Sequence, residues 1–333
     1  MQKRQFGKNG PMVSAIGIGA MSFSDFYGAT TDAASHNILS TALDLGIDHI
    51  DTSNVYGNGR SETVIGEFLK AQGKQAQGLF TIATKAGINR DDQNNRWFDN
   101  SPDYLGKAID ASLKRLGVEH IDLFYIHRRD QKIPIEDVVG TLKGFIDAGK
   151  IGGIGFSEIA PSSLIRASAV HPVMAVQSEY SLSTRYPELG LVQRCASLET
   201  ALVAFSPVGR SLLTDRPLTP EKVAELDFVR INPRFMPPNL EANLAITEGF
   251  RQFASSMGVA ASSLAIAWVL HQGEHIIPIP GTRSTEHLRE LAAATEITIT
   301  DDILVELDRI LPVGWAHGDR YSDKQWNGPE KYS

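Results

Sequence analysis

The chain has 333 residues, 42% hydrophobic and 21% charged, with one cysteine and a formal net charge of -7. That supplies enough apolar matter for a sizeable core and shows too little compositional bias for disorder. A net negative chain without clustered Lys and Arg excludes a surface built for phosphate backbones, so no nucleic-acid partner is expected.

The opening stretch, "MQKRQFGKNGPMVS", has positive charge but no apolar block behind it, unlike a secretory signal. Within it "QFGKNGPMVS" predicts a small hairpin. No run approaches the roughly 18 apolar residues that span a bilayer. With the lone Cys195 unable to close an internal disulfide, the expectation is a cytoplasmic protein with no membrane partner.

Strand-like and helix-like runs then alternate. "SAIGIGAM" precedes "TDAASHNILSTALDLG", "IDHIDTS" precedes "SETVIGEFLKAQG", and "LFTIATK" precedes "SPDYLGKAIDASLKRLG". "IDLFYIH" comes before "IEDVVGTLKGFIDAGK", "IGGIGFS" before "APSSLIRASAVH", and "VMAVQSEY" before "PELGLVQRCASLE", where Cys195 reads as a small apolar helix residue. "ALVAFSPV" leads into a long loop over 206–238 and a helix, and "HIIPIPG" precedes "STEHLRELAAA". Helix starts such as Thr31-Asp32 and Ser101-Pro102 supply a capping oxygen or a preset first turn. Eight such pairs without a linker predict an α/β fold, a single (β/α)8 TIM barrel domain over 1–333 with the N-terminal β-hairpin across its other end.

In a barrel, chemistry sits where the strands end. The second strand ends in Asp51, the third in Lys85 and the fourth in His127. Alternation puts His49 with Asp51, Ala83 with Lys85, and Leu123 and Tyr125 with His127 on one face. Neighbouring strands lie about 4.8 Å apart, so the three polar groups share one rim. Tyr56, in the glycine-rich turn after Asp51, can fold back over them. A Lys ammonium should lower a phenol's pKa, an Asp should keep that Lys charged, and a His N–H can fix a carbonyl oxygen. The set suits protonation of a carbonyl oxygen while another agent attacks the carbon.

These residues resemble the aldo-keto reductase superfamily: "IDTSNVYGNGRSE" for the Asp and Tyr, "IATK" for the Lys and "DLFYIH" for the His. "GIGAMS", "GKIGGIGFSE", "VQSEYS", "AFSPVGRSLLT" and "PIPGTRSTEHL" extend the likeness over nearly the whole chain. "FYIHR", "GFSE" and "VQSEYSL" are most similar to the branch with pyridoxal reductases and broad-specificity aldehyde reductases. The resemblance implies NADPH (NADP+) as cofactor, a small-molecule carbonyl substrate and catalysis by Asp51, Tyr56, Lys85 and His127.

It also implies cofactor contacts: Gly19, Ala20 and Met21 beside the nicotinamide, Ser157 and Gln177 on its carboxamide, and Phe205 stacked on its ring. Ser206, Gly209 and Leu212 match positions near the pyrophosphate. Thr282 and Arg283 match the 2'-phosphate site, His287 stands where several members have Arg, and Glu290 matches an adenine or ribose contact. Glu158 stands where many members carry Asn, and Leu291 where Asn is common.

Two alternatives are a cofactor-binding regulatory subunit like the channel-associated β subunits, and a barrel hydrolase using Asp51, Glu62 or His127. His271 and His275 have a metal pair's spacing, but Gly273 should end their helix. Arg128 and Arg129 read as exposed loop charges, and Phe23, Phe26, Tyr27, Trp97, Phe98 and Trp315 as candidate pocket walls, Phe23 and Trp97 first.

Overall fold

The computed structural model describes residues 1–90 and 95–332. In chain order its strands are β1 (Lys3–Gln5), β2 (Met12–Ser14), β3 (Ile18–Gly19), β4 (His49–Asp51), β5 (Thr81–Ala86), β6 (Ile88–Arg90), β7 (Arg96–Phe98), β8 (Leu123–Ile126), β9 (Ile154–Ser157), β10 (Ala175–Glu179), β11 (Ala201–Phe205) and β12 (Ile276–Pro278). β1 and β2 form the expected antiparallel hairpin, and β6 and β7 form a second one. The other eight are parallel neighbours in the order β3-β4-β5-β8-β9-β10-β11-β12.

The two ends of this sheet meet. Gly17 N–H donates to Pro278 O (2.9 Å) and Gly19 N–H to Pro280 O (3.0 Å). The reciprocal bonds cannot form, because proline has no N–H. Ile279, between the prolines, donates the other way, to Ala204 O on β11. The closing seam therefore rests on one-way bonds. It also depends on close approach: a Cβ on Gly19 would lie 2.6 Å from Ile279 O.

The helices are α1 (Asp32–Asp44), α2 (Arg60–Gln72), α3 (Pro102–Leu116), α4 (Ile135–Asp147), α5 (Pro161–Val170), α6 (Leu191–Ser197), α7 (Pro220–Ala224), α8 (Asn239–Ser256), α9 (Ala261–His271), α10 (Thr285–Ala293) and α11 (Asp301–Ile310). Thr31 caps α1 by accepting from Ala34 N–H, and Ser101 caps α3 by accepting from Tyr104 N–H. The segment 206–238 is more ordered than a bare loop. It contains α7 and packs Leu212, Val223, Leu226, Val229 and Phe235 with Leu240 into a satellite core. α9, buried from Ala261 to Leu270, packs on β12 and α10 as the seventh barrel helix, while α8 and α11 pair outside it. A helix apolar on all sides belongs in the interior, which is why α9 rather than α8 takes that place.

Two apolar layers follow from strand alternation. Ala83, Leu123, Tyr125, Ala175, Ala201, Val203, Ile277 and Ile279 fill the barrel, and Phe6 and Val13 of the hairpin close its lower end. The residues of opposite parity, such as Ile50, Ile82, Phe124 and Val176, pack against the helices. Phe6 sets its ring edge-on to His49, with centroids 4.6 Å apart. Replacing Phe6 with Ala leaves a cavity at the barrel's end and should cost about 3–5 kcal/mol. Urea unfolding monitored by circular dichroism checks this, and a loss below about 1 kcal/mol would show that the hairpin is no plug.

Candidate active site

Asp51 ends β4, Lys85 lies near the end of β5, and His127 directly follows β8. All three have interior parity, since Asp51 pairs with Ala83 and Lys85 with Tyr125 in the ladder. Lys85 is fully buried; its Nζ donates to the Asp51 carboxylate and to Thr52 O at 2.7 Å. From across the barrel Gln177 Nε2 donates to the other Asp51 oxygen at 2.7 Å. A buried ion pair tolerates its desolvation only with such extra hydrogen bonds.

Tyr56 sits in the turn between β4 and α2, where Gly57 and Gly59 have φ of 59° and 93°. That left-handed turn brings the half-buried ring back over the rim, its centroid 5.2 Å from Lys85 Nζ. His127 meets the same ring edge-on, with centroids 5.9 Å apart. Ser53 Oγ lies 3.1 Å from His127 Nδ1. The Ser53 hydroxyl has Lys85 O as an alternative acceptor at 3.3 Å; when it donates to Nδ1 instead, the imidazole proton sits on Nε2.

The electrostatics differ in one respect from the sequence expectation. Loss of hydration pushes the Tyr56 phenol up, the Asp51 charge adds to this, and Arg128 opposes both. The lowering expected from a neighbouring ammonium is outweighed by this loss of hydration, and Lys85 is already paired with Asp51. Burial also pulls the Lys85 ammonium down, with Asp51 holding against it. Burial, then the Arg128 and Lys85 charges, keep His127 well below the usual imidazole range. At neutral pH the site therefore presents a protonated phenol and a neutral imidazole.

A cleft of about 1690 Å³ runs from this rim toward α10. Asp51, Tyr56 and His127 line one end, with Gly19, Met21, Ser157, Gln177, Phe205 and Ser206. Thr282, Arg283, His287 and Glu290 line the other. Lys85, Ala20, Gly209 and Leu212 do not reach the surface of the cleft: Lys85 lies beneath it, Ala20 and Gly209 are buried, and Leu212 belongs to the satellite core. Ser157 Oγ accepts from Arg128 NH1 at 3.0 Å. The loop after β11 is strained: Ser206, Gly209, Arg210 and Ser211 have φ of 51°, 58°, 52° and 88°. Such backbone strain clusters at functional sites, and left-handed residues present their N–H groups to anions. At the far end Ser284 caps α10, and exposed Arg283 donates to Ala29 O at 3.0 Å.

Several sequence readings need correction. Arg128 and Arg129 are both buried, because the C-terminal segment returns over them; Arg129 NH1 donates to Glu330 at 2.8 Å. Phe23 is in the core, Trp97 is exposed on β7, and Trp315 is buried with its Nε1 on Leu182 O, so none of them walls the cleft. Phe98 does not line it either, whereas Phe26 and Tyr27 do, joined by Phe228 and Tyr321. Glu62 accepts from Thr84 and Arg115 and does not line the cleft, so of the residues named for the hydrolase alternative only Asp51 and His127 meet at the rim. His275 bonds Val192 O, past the end of α9.

Sequence reasoning missed a buried network behind this rim. Arg320 pairs with Glu158, Arg210 with Glu179, and Arg210 NH1 donates to Arg320 O at 3.0 Å. Glu158 is thus an anchor for the C-terminal segment. The only sequence signal was its departure from the Asn common at that position.

The sequence profile described as the aldo/keto reductase family matches residues 15–312. The chain is 37% identical over 313 residues to the protein named aldo-keto reductase yakc [NADP(+)] of Schizosaccharomyces pombe, covering 93% of this chain and 92% of that one. It is 35% identical over 334 residues to probable aldo-keto reductase 1 of Glycine max, covering 100% and 94%. Among solved structures, the glycerol dehydrogenase AKR11B4 from Gluconobacter oxydans superposes with a TM-score of 0.80 at 28% identity, over 93% and 94% of the two chains.

The lowered affinity of His127, and of buried His49, for protons makes a pH prediction. The unfolded chain takes up protons at these positions near the ordinary pKa of about 6.5 while the folded chain does not. Stability should therefore fall as pH drops below that value, by up to about 1.4 kcal/mol per pH unit per histidine. Urea midpoints between pH 7.5 and 5 check the slope. Imidazole NMR titrations should show both rings taking up protons at lower pH than a free histidine does.

Proposed function

Since the chain belongs to the aldo/keto reductase family, whose members act on small carbonyl compounds, we propose that it reduces aldehydes or ketones to alcohols with NADPH, Tyr56 being the general acid. The observation that carries this reading is the stack of groups at the rim. Tyr56 lies over a buried Lys85–Asp51 pair, with neutral His127 at its edge, at one end of a long cleft.

The rest of the cleft fits an extended dinucleotide. Half-buried Phe205 offers a ring face near the rim, the left-handed run at 209–211 offers backbone N–H groups, and Arg283 beside the α10 N-terminus suits a phosphate. Ser157 and Gln177 would hold the carboxamide, Thr282 and Arg283 the 2'-phosphate, and His287 and Glu290 the adenosine. When bound, NADPH supplies the hydride that reaches the carbonyl carbon.

The residues of the chain do the rest. His127 Nε2–H donates to the carbonyl oxygen and directs it. Tyr56 gives that oxygen its proton, which is favourable even from a phenol of raised pKa because an alkoxide is the stronger base. The phenolate left behind lies over the Lys85 ammonium, and Asp51 keeps that ammonium charged. The regulatory-subunit alternative gains no support from relatives named for reductases and a dehydrogenase.

Replacing Tyr56 with Phe removes the acid and keeps the ring. NADPH binding, read from protein fluorescence, should persist while turnover of an aldehyde falls by about 10²–10⁴-fold. Turnover near that of the wild type would overturn the assignment. Replacing Arg283 with Met should weaken NADPH binding about tenfold or more and leave NADH binding little changed. Equal losses for both would remove Arg283 from the 2'-phosphate site.

A further inference from the structure

The catalytic end of the cleft holds a buried cation that forms no salt bridge among the described residues. Arg128 is 8% exposed and lines the cleft beside His127. Its NH1 donates to two neutral acceptors, His127 O at 2.6 Å and Ser157 Oγ at 3.0 Å. Nε is buried without a partner, and NH2 makes no hydrogen bond among the described residues.

The described acids nearby have their hydrogen bonds committed elsewhere, although Glu158 also feels the Arg128 charge at longer range. Asp51 is held by Lys85 and Gln177, Glu158 by Arg320, and Glu179 by Arg210. Arg129, equally buried, gives the contrast: it has Glu330 at 2.8 Å. The backbone of Arg128 is fixed, because Asn100 donates to its carbonyl at 3.1 Å and accepts from Asp130 N–H at 2.7 Å. The guanidinium is therefore held at the rim by its own chain.

A charge withdrawn from water without a partner is costly, and it persists where a ligand brings the opposite charge. Of the two unused donors Nε is closed off from the cleft, so NH2 is the one left to give a ligand carboxylate a charge-assisted hydrogen bond. Arg283, the cation suited to a cofactor phosphate, lies at the far end of the cleft. The anion for Arg128 must then come from the molecule that meets Tyr56 and His127.

We propose that Arg128 anchors a carboxylate of the substrate, so that the preferred substrates are aldehydes or ketones bearing a carboxylate within a few atoms of the carbonyl. This rests on the reductase reading above. Arg128 selects the substrate and presents its carbonyl to His127, while the proton still comes from Tyr56.

The test uses the enzyme with NADPH and pairs of aldehydes that differ only in charge: 3- and 4-carboxybenzaldehyde and succinic semialdehyde, each against its methyl ester. For the wild type, kcat/KM for at least one acid should exceed that of its ester by about tenfold or more, mainly through KM. Arg128→Met should abolish the preference and Arg128→Lys should keep part of it, having the charge without the reach of NH2. Esters turned over as well as their acids by the wild type would overturn the anchor and leave the reductase standing. So would a preference that survives in Arg128→Met, or a pH profile shifted equally for acid and ester, which would place Arg128 on Tyr56 instead. No NADPH oxidation with any carbonyl compound would overturn the reductase reading and the anchor with it.

Discussion

The buried pair of Lys85 and Asp51 is the constraint around which the rim is built. An ammonium with no solvent contact stays charged only if its carboxylate is close and both carry further hydrogen bonds. Thr52 O and Gln177 Nε2 provide them, from β4's own end and from the opposite wall of the barrel. The pair thus ties β4, β5 and β10 together at the height where Tyr56 and His127 arrive. A charge that elsewhere would destabilise the interior is here held beneath the ring of Tyr56, the acid of the proposed reaction.

Around this centre the molecule distributes rigidity unevenly. The lower end is plugged by Phe6 and Val13, whereas the upper end is covered by segments distant in sequence. Glu158 and Glu179, at the ends of β9 and β10, gather Arg210 from the loop after β11 and Arg320 from the C-terminal segment. Arg320 lies over the Tyr321 and Trp326 rings, 4.6 Å and 4.8 Å from their centroids. Loop and tail are thereby joined in one charged, aromatic layer that forms part of the wall of the cleft. Gly328 of the same C-terminal segment comes close to the Arg128 side chain, which helps to bury a residue that reads as an exposed loop charge.

The barrel and the face on which Asp51, Lys85 and His127 meet were legible because alternation along a strand is a local rule. The parity that groups Leu123, Tyr125 and His127 in the sequence is the parity of the interior. The fate of Arg128 and Arg129 was not legible, because it depends on Glu330, 201 residues from Arg129. The direction of the Tyr56 shift was misjudged for a related reason. A neighbouring charge can be read from a motif, but the competing loss of hydration depends on how the turn packs. Phe23 and Trp97 show the same limit, since an aromatic's type does not reveal whether it faces the core, the cleft or solvent. The order within 206–238 needed the satellite core around Leu212 and Phe235, whose members are too widely spaced to show as one periodic face.

The central claim, that the Lys85 and Asp51 charges stabilise one another in the interior and together sustain the acid, is tested most directly by a double-mutant cycle. Unfolding free energies of the wild type, Asp51→Asn, Lys85→Met and the combined variant give the coupling between the two groups. Each single change leaves a charge buried alone, so the double variant should be less destabilised than the sum of the singles by about 2 kcal/mol or more. Losses that simply add would contradict the account, since the two charges would then be independent.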